Sequence, residues 1–163
     1  MKELLLVRHA KSSWANPGQD DFDRPLNERG QKDAPMMAQR LIQRGVSING
    51  IITSTALRAI TTARFFAIEN SIAEKDIIKH EFLYHAPPER FVKAILQIPD
   101  TITTAAIFAH NPGITDFVNQ LSEARIDDMP TCCVFAIKIN TDSWKDFSKA
   151  KKEFWFADWP KRL

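Results

Sequence analysis

The sequence predicts an α/β fold, a three-layer α/β/α sandwich with a mostly parallel central sheet. Three observations predict it. Short continuous apolar runs, at Leu4 to Val7, around Ile51 and Ile52, and at Ala105 to Ala109, are too short for helices and read as strands buried on both faces. Stretches with apolar residues at a helical period lie between them. The two kinds of segment alternate, as helical crossovers between parallel strands require.

In chain order, the strand at Leu4 to Val7 leads into a polar loop over residues 11–30 that contains Pro17, Gly18, Pro25 and Gly30. A loop of that length inside a compact domain is often functional. Ala34, Met37, Ala38, Leu41 and Ile42 then define a helix over about 28–44. Pro35 is expected to kink it or mark its start, and Gly45 to stop it. After the second strand, Ser54 or Thr55 is a candidate cap for a helix striped by Leu57, Ile60, Ala63 and Ala67. A weaker strand opens at Ile77 and Ile78. Pro87 and Pro88 start a helix burying Phe91, Ile95 and Ile98. The next strand ends before Asn111 and Pro112, read as a cap and first helical residue. Ile114, Phe117, Val118 and Leu121 carry that helix inward. Residues 131–139 form a further strand, and Phe154 to Phe156 an edge strand.

Composition limits the function classes. The 163 residues are 44% hydrophobic and 26% charged, enough apolar material for a core and against a disordered or coiled-coil chain. That length predicts one domain, residues 1–163, with no linker or repeat. A net charge of +2 without a concentrated basic stripe argues against nucleic acid as partner. No apolar run is long enough for a membrane span, and the apolar stretch at the start is too short for a signal-peptide core; the expected location is the cytoplasm. Cys132 and Cys133 are adjacent, poorly placed for a disulfide or a metal, and are expected to be buried thiols.

The reactive side chains cluster at strand ends, where open α/β sheets bind ligands. The first strand ends in Arg8 and His9. The second leads to Arg58 in the following helix. The Ala105 to Ala109 strand ends in His110. With these strands parallel, two arginines and two histidines converge on one rim beside two helix N-termini, with no carboxylate in the group. Such a set repels a divalent cation and suits an oxyanion, so no metal is expected. A neutral imidazole is also a competent nucleophile. His9 is therefore the candidate phosphoryl acceptor, with Arg8, Arg58 and His110 neutralising the equatorial oxygens.

Arg8-His9-Ala10, Ser54-Thr55-Ala56-Leu57-Arg58-Ala59, His110-Asn111-Pro112-Gly113 and Asp23-Arg24-Pro25-Leu26 before Arg29-Gly30 resemble motifs of the histidine phosphatase superfamily. With Arg8 through Trp14 and Leu83 to Ala86 added, the chain most resembles SixA-type phosphohistidine phosphatases, from Leu4 to about Ile139. The resemblance implies a phosphoglycerate-mutase-like fold, His9 as nucleophile, a pocket of Arg8, Arg58 and His110, and no metal or organic cofactor. Two positions depart from mutase-like relatives. Ala15 stands where they carry Asn, with Ser12, Ser13 or Asn16 as substitutes. His85, with Glu81 nearby, stands where they carry a glutamate acid. The missing acid favours a labile leaving group such as imidazole. Ser12 and His85 complete the expected substrate-binding set. The expected function is hydrolysis of a phosphoryl group, foremost from phosphohistidine on a protein. The alternatives are a small phosphorylated metabolite as substrate, or a non-catalytic phosphoprotein-binding module.

Overall fold

The computed structural model describes residues 1–123 and 125–162. Its strands are β1 (Lys2–Arg8), β2 (Gly50–Ser54), β3 (Ile78–His80), β4 (Thr104–Ala109), β5 (Val134–Ile139) and β6 (Lys152–Asp158). Its α-helices are α1 (Glu28–Gln43), α2 (Leu57–Glu69), α3 (Pro88–Leu96) and α4 (Gly113–Leu121). The strands form one sheet in the order β3-β2-β4-β1-β5-β6. The first four run parallel, and β5 is antiparallel to both neighbours. This is the expected mostly parallel sandwich.

The central strands are apolar on both faces because both are covered. Leu5, Val7, Ala106 and Phe108 pack with Met37 and Leu41 of α1 and Phe66 of α2. Leu4, Leu6, Ala105 and Ile107 pack with Phe91 and Ile95 of α3 and Phe117 of α4. Leu4, Leu5 and Leu6 are wholly buried, each contributing roughly 1.5–3 kcal/mol. Cys132 joins the first layer and Cys133 the second, both as free thiols that burial pushes up in pKa.

Several local expectations change. Helix α1 starts earlier than Pro35 because the Asn27 side chain accepts from Gly30 N–H, 2.9 Å away, and the helix runs through the proline. Gly45, at φ +88°, ends it as expected. Neither Ser54 nor Thr55 is the N-cap of α2; Ala56 is. The α2 buried face holds Arg58, Ala59, Thr62, Ala63, Phe66 and Ala67, while Leu57 is exposed. That face is rotated from the predicted stripe because it must carry Arg58 inward. Pro112, not Asn111, is the N-cap of α4. The Asn111 side chain instead donates to Asp128 and to Met129 O, and accepts from the Thr115 hydroxyl. The expected 131–139 strand begins only at Val134, since Cys132 lies at φ +59°.

One contact fixes α4 against the residues before α3. A Cβ on Gly113 would stand 1.8 Å from the Ala86 carbonyl oxygen, which is backbone and cannot swing away. We expect Gly113→Ala to cost about 1–3 kcal/mol by overpacking. Urea unfolding should show this as a lower midpoint at unchanged slope. An unchanged midpoint would contradict the tight approach.

Candidate active site

Parallel strands β1, β2 and β4 deliver their carboxyl ends to one side of the sheet. His9 follows β1, and its N–H donates to Ala109 O of β4 at 3.2 Å. His110 follows β4. Arg58 sits in the first turn of α2, immediately beyond β2. The His9 and His110 rings lie 5.2 Å apart between centroids, and Arg58 Nε is 3.3 Å from His9 Nε2. These three side chains come from sequence positions about fifty apart, yet each residue is no more than 6% exposed. Arg8, His9, Ser12, Arg58, His85 and His110, the full set singled out from the sequence, line one cavity of about 280 Å³.

The bonds to His9 fix its tautomer. Nδ1 lies 2.8 Å from Ala10 O, so it carries the proton, and Nε2, which accepts from Arg58, keeps its lone pair. Burial lowers the His9 pKa from 6.5 to about 3, with Arg58, Arg8 and Arg24 adding to the effect, and the ring is neutral at pH 7. The Thr62 hydroxyl accepts from Ala10 N–H at 3.0 Å and donates to Arg58 O at 2.8 Å. It thereby ties the turn after β1 to α2, and with it His9 to Arg58.

His110 is oriented by Ser54, whose Oγ lies 2.8 Å from His110 Nε2 and also accepts from Ala56 N–H. The serine predicted as a helix cap thus serves the site. His110 Nδ1 is buried and has no partner among the described residues. Burial, with the Arg58 charge adding to it, lowers the His110 pKa to about 2. Arg8 donates from one terminal nitrogen to Met129 O at 2.8 Å, and its Nε is buried and unpaired among the described residues.

The sequence reading missed Asp21. It expected no carboxylate in the cationic group, yet Asp21 lines the cavity and is bonded to both Arg58 and Arg24. Its Oδ2 accepts from Arg58 at 2.9 Å and from the Tyr84 hydroxyl at 2.5 Å, and its Oδ1 accepts from Arg24 Nε at 3.1 Å. Its backbone carbonyl takes a second Arg58 bond at 2.6 Å. Burial pushes this carboxyl up, but the bonds from Tyr84, Arg58 and Arg24 outweigh it and hold the group well below the usual carboxylate range. Nothing in the run Asp20-Asp21-Phe22-Asp23 distinguishes Asp21, because its partners Arg58 and Tyr84 are 37 and 63 residues away. Arg24 fixes the long loop through its bonds to Ser12, Ser13 and Asp21.

With this geometry in place, the comparisons with known proteins fall into line. The model of the histidine phosphatase superfamily, branch 1, matches residues 4–83. Over that stretch, just under half of its length, the chain is similar to the histidine phosphatase superfamily. An uncharacterized protein of Mycobacterium leprae is 35% identical over 112 residues, which cover 67% of this chain and 66% of that one. The chain thus matches just under two thirds of that relative's length. Among solved structures, a protein given the provisional name phosphohistidine phosphatase SixA, from Agrobacterium tumefaciens, shares the fold at TM-score 0.82 and 24% identity, covering 98% of both chains. A protein histidine phosphatase SixA complexed with tungstate follows at TM-score 0.81 and 16% identity, covering 97% of both. The superfamily resemblance in the motifs and the observed fold therefore agree.

His85 is exposed, lies at φ +54° and lines the cavity. Glu81 is exposed and outside the cavity lining. Ser12 is at the cavity, but its oxygen already accepts from Arg24 at 2.6 Å. Asn16 instead accepts from Gly18 N–H.

The two buried histidines give a pH dependence whose sign is fixed. Each is neutral in the fold, with a pKa below its ordinary 6.5, so between those values the unfolded chain binds more protons. Stability is complete above pH 6.5 and falls as pH drops below it, by about 1.4 kcal/mol per histidine one unit lower. Urea unfolding at neutral and mildly acidic pH should show this loss. Replacing His110 with Gln should reduce it; an identical slope in that variant would contradict the buried neutral ring.

Proposed function

We propose that this chain, as one domain over residues 1–163, is a cofactor-independent phosphohydrolase that moves a phosphoryl group from its substrate to His9 and then to water. The favoured substrate is phosphohistidine on a protein. The observation that carries this reading is the unprotonated His9 Nε2 set among the donors of Arg8, Arg58 and His110. In the first step Nε2 attacks phosphorus in line, the Nε2–P bond forms and the bond to the leaving group breaks. Fixed donors around the equatorial oxygens stabilise this step without reorganising. Water then attacks the phosphohistidine, releasing phosphate and restoring His9.

Two features favour a labile leaving group. Asp21 is held ionised and has no proton to give, and Glu81 lies away from the cavity. A phosphoramidate can take a proton from water on its own nitrogen, so imidazole leaves without a protein acid. The likeness to structures named SixA supports the same choice. Among the described residues no helix is long and apolar enough to cross a membrane.

Incubation with a labelled phosphoryl donor followed by alkaline quench, which preserves phosphohistidine, tests the proposal. Label should appear on His9 and turn over. No labelling of His9 by phosphohistidine peptide, phosphoramidate or acetyl phosphate would favour a binding module.

A further inference from the structure

Trp14 is the feature of this cavity that the phosphoryl chemistry does not use. It is 73% exposed, the highest value among the large exposed apolar residues, yet it lines the same cavity as His9. An exposed indole on a loop is ordinarily free to move. This one is held: the Arg24 guanidinium carbon lies 3.6 Å from its ring centre. Arg24 itself is buried and cannot drift. It donates to Ser12 Oγ at 2.6 Å and to Asp21 Oδ1 at 3.1 Å, and a second nitrogen lies 3.0 Å from that same carboxylate oxygen.

A fixed aromatic surface beside a cationic phosphoryl pocket recognises the uncharged part of a substrate. The arginines and histidines account for the phosphoryl oxygens. The indole offers no negative or positive charge; it offers a flat face, which prefers another planar ring. His85 brings a second ring to the cavity from the segment before α3, with its centroid 3.9 Å from that of Tyr84. Beyond the phosphoryl group, two loops thus each bring one ring to the lining, beside Lys11, Asn111 and Thr131.

We infer that Trp14 is the platform for the leaving group, stacking on the imidazole of a phosphorylated histidine in a polypeptide. This rests on the phosphohydrolase reading above, and it names the part of the site that selects the substrate. Arg24 acts through Trp14 as a positioning residue: it orders the ring before substrate arrives, so less freedom is lost on binding.

The test compares two substrates with the same kind of scissile P–N bond, a phosphohistidine peptide and phosphoramidate, which has no ring. The readout is the ratio of their kcat/KM values in the wild type, Trp14→Ala and Trp14→Phe. Stacking of this kind predicts a ratio lowered by about two- to tenfold in Trp14→Ala, carried by the KM of the peptide, and restored in Trp14→Phe. A ratio unchanged in Trp14→Ala overturns the inference, as does equal loss on both substrates, which would mark a structural role. A wild type that hydrolyses phosphoramidate but not the peptide also overturns it while leaving the phosphohydrolase reading intact. A wild type inert toward both ends the two together.

Discussion

His9→Ala should eliminate turnover and labelling while the chain stays folded. The loss in kcat should be on the order of 10⁴-fold or more, the scale seen when a covalent nucleophile is deleted. The reason is specific to the geometry. His110 cannot replace it, because its Nε2 is held by Ser54 and its ring centroid is 5.2 Å from that of His9. Cys132 and Cys133 are wholly buried, and burial keeps their thiols protonated. The fold does not depend on the imidazole either. Backbone bonds from Arg8 N–H to Cys133 O and from His9 N–H to Ala109 O, and the Thr62 bond to Ala10 N–H, all survive the truncation. Steady-state kinetics with a phosphohistidine peptide, beside circular dichroism, checks both halves. Near wild-type turnover in a folded His9→Ala variant would remove the covalent mechanism.

The central sheet and the His9, Arg58 and His110 cluster were legible in the sequence for one physical reason. A parallel strand buried on both faces leaves a continuous apolar run, and the residues just past its carboxyl end must face the sheet rim. That rule located Arg8 and His9 at the end of β1 and His110 just past β4 without coordinates. It failed where a side chain answers to a distant partner. Ser54 has the composition of a cap, but His110, 56 residues on, is its partner. Leu57 belongs to an apolar stripe on paper, but turning Arg58 toward His9 rotates the helix and leaves Leu57 outside. Asp21 was invisible because the long loop has no periodicity, so nothing local says which of its acids turns inward. Trp14 was read only as part of a motif, since exposure and ring contacts are tertiary facts.

Arg58→Ala should lower kcat/KM by about 2–4 kcal/mol, roughly 30- to 1,000-fold, as loss of one fixed oxyanion donor does. In the resting protein each Arg58 nitrogen makes one bond: Nε to His9 Nε2, and the two terminal nitrogens to the Asp21 carbonyl and carboxylate. The second N–H of each terminal nitrogen is left for an incoming phosphoryl group, and the carboxylate tempers the pocket's affinity for anions. Removing Arg58 deletes the donor and also leaves the Asp21 charge facing the phosphoryl oxygens with less compensation. Arg58→Lys keeps a charge but not the planar fork, so it should recover only part of the loss. The double variant Arg58→Ala with Asp21→Asn separates the two contributions, since contacting residues are not additive. It should be less impaired than Arg58→Ala alone, because the uncompensated charge is gone. If the double variant is equally or more impaired, Asp21 acts by holding the loop and not by its charge. If Arg58→Ala stays within about threefold of wild type, well short of the loss of one donor, Arg58 is no transition-state donor.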